Sequence, residues 1–307
     1  MELNTDHLPP PSQPALVGVS GGRDSVALLD WLVKNGWENV KVCHVNHGLR
    51  GKASDEDALF TSSLAQDYGL AFLSVKVDVA ADAKRTNQSI ETAARTARYD
   101  FFGKCATQLE TPNLMLAHHA DDQAETLLFN FLRGSHGWKG MAPISQRAGL
   151  HIFRPLLNTR RETITHYCTA NTLKFREDET NAQPVATRNR IRSEVFPLIK
   201  EVLGQDPVPR FLKAKEEQND LGQILDHYLD PQGRLYLPSV RLLPRAFQQQ
   251  VIVNFLKSNQ VPEMSTRLIE RALELIEPTA APKLNLPGGT YLRRKESRLF
   301  VQQDKNS

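Results

Sequence analysis

The chain is 307 residues long, 40% hydrophobic and 24% charged, and its 38 Lys and Arg outnumber 35 Asp and Glu for a net charge of +3. This length accommodates two domains with cores of their own, and the balance excludes a disordered, collagenous or disulfide-scaffold chain. No apolar run approaches the ~20 residues of a membrane span, and the first residues lack the basic-then-apolar layout of a secretory signal, so a cytoplasmic protein with no membrane partner is expected.

A Pro-rich arm at 1–14 is expected to be loose. From residue 15, strand-like runs near 15–20, 40–45, 70–77 and 113–118 alternate with helical runs near 24–35, 54–68, 89–109 and 122–133. Such alternation implies crossover connections and hence an α/β domain, a parallel twisted sheet with helices on both faces. Gly36 and Gly69 stand where left-handed residues end the first two helices, while Asp122-Gln-Ala-Glu125 and Thr159-Arg-Arg-Glu162 read as capping boxes. The alternation stops near 205, at the stretch Gly204-Gln-Asp-Pro-Val-Pro209. The domain at 15–205 is therefore expected to be followed by a smaller, mainly helical α+β domain at 206–307, closing in β-like segments from Lys283 to Leu292 and from Arg298 to Gln302.

The segment Ser20-Gly21-Gly22-Arg23-Asp24-Ser25 lies between an apolar strand and a helix. Two glycines let the turn approach a ligand closely, and the helix start leaves unpaired N–H groups aimed back at it, so the segment reads as a phosphate cradle. Its alternative is a plain connecting turn. The spacing is neither Gly-x-x-x-x-Gly-Lys-Ser/Thr nor Gly-x-Gly-x-x-Gly. In an open sheet ligands collect outside the carboxyl ends of the strands, where this turn, the segment at 44–50 and the segment at 118–125 all emerge.

At 44–50, His47 and Arg50 are candidates for phosphate or nucleobase contact, against a packed His44 and a solvated Arg50. In Ala117-His-His-Ala-Asp-Asp-Gln-Ala-Glu-Thr126 the hard oxygens of Asp121 and Asp122 suit Mg²⁺, with Asp24, better than zinc, against a purely helix-capping role. Glu91, Arg95 and Arg98 fall on one helical face, either as a solvated ion-pair stripe or as a basic face toward phosphate or RNA. The segments Asp178-Glu-Thr-Asn181 and Arg188-Asn-Arg-Ile-Arg192 add arginines at alternate positions, which cannot all share one face. Cys43, Cys105 and Cys168 are far apart with no Cys-x-x-Cys pair, so neither zinc nor an iron–sulfur cluster is expected.

The turn at 20–25 resembles the pyrophosphate loop of the ATP pyrophosphatase (PP-loop) family, whose members cleave ATP between the α and β phosphates to adenylate a substrate. The ordered series of that loop, His44-Val-Asn-His-Gly-Leu-Arg50, Glu91-Thr-Ala-Ala-Arg95 with Arg98-Tyr99, His118 to Thr126 with Arg133-Gly134, Gly140-Met141 with Pro143, Arg154-Pro-Leu-Leu157, and Asp178 to Asn181 with Arg188 to Arg192 is similar to one branch, the tRNA(Ile)-lysidine synthetases. Leu242 to Gln250 and Leu284-Asn-Leu-Pro-Gly-Gly289 resemble that branch's substrate-binding domain more weakly.

The resemblance implies an adenine nucleotide alpha hydrolase-like fold, ATP bound by Ser20, Gly21, Gly22, Arg23, Asp24 and Ser25, and Mg²⁺ held by Asp24 and Asp122. It implies catalytic roles for Asp24, Asp121, Asp122 and Arg95, and substrate contacts from His47, Arg50, Glu91, Arg98, Arg188, Asn189 and Arg192. The implied partners are tRNA(Ile) bearing a CAU anticodon and free L-lysine, and a homodimer is left open. Rival readings are a tRNA thiolase, which usually needs paired cysteines, a small-metabolite ligase such as an NAD or GMP synthetase, and an RNA-binding protein with a decayed ATP site.

Overall fold

The computed structural model of the chain describes residues 1–3, 5–135, 137–176, 187–226, 228–262 and 264–303, with the side chains of Arg188 and 221–226 left out. It divides into two compact units, Met1–Ser135 with Lys139–Leu212, and His136–Trp138 with Lys213–Ser307.

The first unit contains strands β1 (Ala15–Gly18), β2 (Val40–Asn46), β3 (Phe72–Lys76), β4 (Asn113–Met115), β5 (Ile144–Arg147) and β6 (Leu150–Phe153). They form one sheet in the order β3-β2-β1-β4-β6-β5, parallel throughout except for β5, which runs antiparallel to β6 at the edge. Leu16, Val17, Val40, Val42, Leu114 and Met115 are fully buried, as central strands covered on both faces must be. Helices α1 (Arg23–Lys34), α2 (Lys52–Asp67) and α6 (Arg161–Ala170) supply Leu28, Leu32, Ala65 and Ile164 to one core layer. The opposite layer is built by α4 (Ile90–Gln108) through Tyr99, Phe102 and Cys105.

Several local expectations are corrected. A helix absent from the sequence reading, α3 (Val79–Thr86), starts where the Asp78 carboxylate accepts from the Ala81 amide at 3.0 Å. The cap of α5 (Ala120–Leu132) is His119 rather than Asp122, which instead stands three residues in and closes a reciprocal capping box. Thr159 does not cap α6, whose first flanking residue is Arg160, without a side-chain cap. The N-terminal arm is tied down rather than loose. The indoles of Trp31 and Trp37 donate to the carbonyls of Met1 and Pro9 at 2.9 and 3.1 Å, and Met1, Leu3 and Leu8 pack on the core.

Beyond α6, α7 (Thr187–Arg190) passes through a π-helical turn at Ile191–Val195 into α8 (Phe196–Leu203). Ile191 and Phe196 pack there on Ala124 and Leu128 of α5. Helix α9 (Val208–Asp226) follows and contains the division between the units.

The second unit carries β7 (Leu235–Tyr236), α10 (Leu237–Arg241), α11 (Arg245–Ser258), α12 (Thr266–Glu274), β8 (Lys283–Leu286), β9 (Thr290–Lys295) and β10 (Arg298–Gln303). Its antiparallel sheet, ordered β7-β10-β9-β8, presents Leu235, Leu299, Leu292 and Leu284 to Ile252, Phe255, Leu256 and Ile269 of the helices. Among the described residues no helix is long and apolar enough to cross a membrane.

Candidate active site

The strand order reverses at β1, which lies between β2 and β4. A crevice is expected at that point outside the strand ends, and the turn at 20–25 lies there. Ser25 ties the turn into a closed knot: its hydroxyl accepts from the Ser20 amide at 3.1 Å and donates to the Gly22 carbonyl at 2.9 Å. The Ser20 hydroxyl accepts from the Gly22 amide at 3.2 Å. Gly21 sits at φ +89°, where a Cβ would also stand 3.1 Å from the Thr61 hydroxyl, so only glycine passes without strain. From below, the Arg176 amide donates to the Gly21 carbonyl at 2.9 Å. Helix α1 then begins with no side-chain cap, so its first amides and its dipole face outward, ready for an anion.

Beside the cradle is a knot of paired charges centred on the buried His119. Its Nε2 lies 3.6 Å from Asp24 and 3.5 Å from Asp122, and its Nδ1 lies 3.8 Å from Asp121. The Asp122 amide donates to Nδ1 at 3.3 Å, which fixes the lone pair there and turns Nε2–H toward Asp24. Burial disfavours the imidazolium, but the Asp24 hydrogen bond and the charges of Asp122, Asp24 and Asp121 outweigh it and shift the pKa upward. Burial raises the Asp24 carboxyl, yet His119 and Arg23 together hold it below its ordinary range.

The other two aspartates are occupied. Asp121 accepts from Arg160 at 3.1 and 3.3 Å and from the Arg161 amide at 2.8 Å. Asp122 accepts from the His119 amide at 3.0 Å and from Arg192 at 2.7 Å, and Arg192 also clasps the buried Glu125 at 2.6 and 3.0 Å. Burial pushes the Glu125 carboxyl up despite that pairing.

The other side of the cleft has the opposite character. Tyr99 is buried on α4, and the guanidinium carbons of Arg95 and Arg147 stand 5.1 and 4.2 Å from its ring centroid. Arg98 and Arg154 adjoin it, and burial lowers both guanidinium pKa values while the neighbouring Arg95 lowers them further. Arg154 donates to the Ala142 carbonyl at 2.7 Å and to the Ser145 hydroxyl at 3.0 Å, and its Nε has no partner. None of these four arginines meets a carboxylate among the described residues. Two imidazoles complete the ring. Burial and the nearby cations push His47 and His118 down to about 4, and the Nδ1 of each is buried without a hydrogen bond. Both therefore stay neutral, with a polar nitrogen unsatisfied.

The geometry redistributes the residues named from sequence. Ser20 to Ser25 form the cradle; Asp24, Asp121 and Asp122 gather round His119; Arg95, Arg98 and His47 join the arginine ring. Arg192 belongs to the acidic knot instead of facing a free anion. Arg50 pairs with Asp57, itself held by Arg176 at 3.0 Å. Glu91 is exposed in the first turn of α4, and Asn189 lies in α7. The segment at 178–181 and the side chain of Arg188 lie outside the described residues. New members are His119 as the hub and Arg147 in the ring, together with Arg154, which stood in the Arg154-Pro-Leu-Leu157 motif without an assigned role. Arg147 ends β5 of the unpredicted β5–β6 hairpin, and Arg154 directly follows β6.

A model of the PP-loop domain family matches residues 2–199. The chain belongs to that family. Residues 235–300 match the model described as the TilS substrate binding domain. A tRNA(Ile)-lysidine synthase of Thermus thermophilus is 34% identical over 295 residues, covering 95% of this chain and 57% of the relative. That of Bacillus subtilis 168 is 32% identical over 294 residues, covering 90% and 62%. The chain thus spans about three fifths of the length of these curated relatives. In fold it is similar to the U34-tRNA thiolase NcsA of Methanococcus maripaludis, with a TM-score of 0.52 at 16% identity over 66% of this chain and 71% of that one.

PP-loop membership implies ATP at the cradle. Mg²⁺ fits only in part. Asp24 also pairs, with Arg23 Nε at 3.2 Å and with His119 at 3.6 Å, but its side chain is 30% exposed and can still offer an oxygen beside the phosphates, whereas Asp121 and Asp122 are held by arginines and backbone amides. Among the described residues no group of three or more His, Cys, Asp or Glu forms a metal cage. The ion's usual habit of taking one or two carboxylates plus phosphate oxygens and water suits such a place.

Proposed function

We propose that this chain ligates lysine to C2 of the wobble cytidine in the CAU anticodon of tRNA(Ile), through an adenylated cytidine, releasing pyrophosphate and AMP. The observation that carries this reading is the ring of four arginines about Tyr99, without carboxylate partners among the described residues, across from a phosphate cradle. Arg154 is buried and Arg98 half-buried, while Arg95 and Arg147 are exposed; a buried cation without counter-charge is costly, and a nucleotide phosphate or RNA backbone relieves that cost. The family matches and the names of the relatives point the same way.

In this scheme the α1 amides and the knot of Ser20 and Ser25 hold the pyrophosphate end of ATP. Asp24 is the residue that would hold Mg²⁺, which when bound neutralises charge on the departing pyrophosphate. O2 of the cytidine attacks the α-phosphorus, the bond to the bridging oxygen breaks, and pyrophosphate leaves. Arg95, Arg98, Arg147 and Arg154 meet the negative charge of the adenylate or of the flanking backbone. His47 and His118, kept neutral, offer their unsatisfied nitrogens to a base edge. Lysine's amine then attacks C2 and expels AMP, which is a far better leaving group than the original oxygen. His119 orients Asp24 through Nε2–H.

The test supplies the chain with ATP, Mg²⁺, labelled lysine and isoleucine tRNA bearing CAU. Label is expected in RNA only when every component is present; ATP cleavage without lysine incorporation overturns the reading.

A further inference from the structure

The central peptide of the cradle turn joins Gly21 to Gly22, and two glycines let that peptide flip between orientations that side chains would disfavour. The orientation matters to an anion. A trans peptide points its carbonyl and its N–H in opposite directions, so a flip would turn the Gly21 carbonyl toward a bound phosphate and the Gly22 N–H away from it. One residue selects between the two. The Arg176 amide donates to the Gly21 carbonyl at 2.9 Å, and Gly22 and Arg176 form an isolated parallel bridge. The Gly22 N–H thereby points the other way, to the Ser20 hydroxyl at 3.2 Å on the exposed side of the turn.

Arg176 is in turn fixed through its side chain. Its Nε donates to Asp57 Oδ1 at 3.0 Å and a terminal nitrogen donates to Glu56 at 2.8 Å, both on α2. The two pairs differ in weight. The Glu56 side chain is 61% exposed and that of Asp57 only 10%, so water screens the first pair far more than the second. Arg50 holds the other oxygen of Asp57, whose backbone carbonyl accepts from the Thr61 hydroxyl at 2.8 Å. That hydroxyl stands 3.1 Å from the place a Gly21 Cβ would take, and Phe60 stands 3.4 Å from it. Asp57, Phe60 and Thr61, one turn of α2, thus make a floor under Gly21, and Arg176 ties the cradle to that floor.

We infer that Asp57 and Arg176 are positioning residues for the phosphate cradle. Asp57 anchors the Arg176 guanidinium, and the Arg176 amide keeps the Gly21 carbonyl turned from the anion, so that the amides of the turn and of α1 face it. Although Arg176 is a cation next to a phosphate site, it acts through its main chain, because its charge is taken up by α2. The inference rests on the reading of the turn at 20–25 as a nucleotide phosphate site and adds the residues that shape it.

The full chain, with Mg²⁺, is titrated by calorimetry with α,β-methylene-ATP, which cannot be cleaved between the α and β phosphates, and with AMP, which lacks the phosphates the cradle holds. The wild-type chain should prefer the ATP analogue. Arg176→Met, which keeps the backbone amide and removes the side-chain donors, should weaken the analogue roughly ten-fold, the worth of one hydrogen bond to a charged group. AMP affinity should not change; a role in general stability would lower both or neither. Arg176→Lys, which still offers Asp57 a cationic donor, should recover most of the preference. Asp57→Asn should act like Arg176→Met, and the double variant should be no worse than either, because the two residues act in series. An ATP-to-AMP preference unchanged by Arg176→Met, or additive losses in the double variant, overturns the inference. A wild-type chain without that preference overturns the cradle reading as well. With the expected binding results in hand, absence of lysine incorporation counts against the proposed reaction alone.

Discussion

The two sides of the cleft in the first unit treat charge in opposite ways. Around His119, each aspartate has a cationic or amide partner on the protein, and even the arginine supplied by the π-helical turn is taken up by Asp122 and Glu125. Around Tyr99, four arginines share one ring and find no carboxylate among the described residues. Paired charges lock geometry in place; unpaired ones remain available to a ligand. In the proposed scheme the acidic knot holds the cradle in shape, with Asp24 as its exposed edge, and the arginine ring receives an anion the protein does not itself provide.

The sharpest way to break this contrast is at Asp24 and Arg98. Asp24→Asn should abolish turnover, by at least ~100-fold in steady-state lysine incorporation, with tRNA affinity by filter binding nearly unchanged. Retained activity would remove Asp24 from the phosphate side. Arg98→Ala should lower kcat/KM by a comparable factor and also weaken tRNA binding. In calorimetry it should raise stability in the absence of ligand or leave it unaltered, because an uncompensated half-buried charge has been removed. A large destabilisation would show that Arg98 has a protein partner after all.

The histidines give a pH signature. His47 and His118 titrate near 4 in the folded chain but near 6.5 when unfolded. The unfolded chain therefore binds the extra protons first as pH drops. Their contribution to stability is complete above about pH 6.5 and is lost as pH falls through that value toward 4. Urea midpoints measured across this window should decline, and His118→Gln should make the decline shallower. His119, shifted upward, works the other way: its stabilisation is full below about pH 6.5 and fades as pH rises through its folded pKa. Smaller effects follow at the edges. Gly21→Ala should destabilise by about 1–2 kcal/mol, through the left-handed backbone and the Thr61 contact, and weaken nucleotide binding. Arg190→Gln removes only an exposed pair with Glu194 and should leave the thermal melt where it was, since solvent screens such a pair.

The cradle and the alternating strands and helices were legible because glycines, apolar runs and helix starts are local signals. The β5–β6 hairpin was not. Its two-residue turn places Ala148 and Gly149 at φ +48° and +79°, a conformation usually announced by Asn-Gly or Asp-Gly, and Ala in the first position hides it. Arg147 was lost with it, and Arg154, quoted in the Arg154-Pro-Leu-Leu157 motif, had no role assigned. The partners of Arg192 were not legible for another reason. Spacing along the chain shows that Arg188, Arg190 and Arg192 cannot share a face, but not that a π-helical turn delivers the last of them 67 and 70 residues back, to Glu125 and Asp122. His119 looked like a neighbour of acids and proved to be the residue they surround.

The most direct measurement is a single turnover with ATP labelled in its α-phosphate, Mg²⁺ and isoleucine tRNA, with lysine withheld. The account predicts label covalently attached to the RNA as pyrophosphate is released, and chased off as AMP once lysine is added. Pyrophosphate release with the RNA left unlabelled would contradict it.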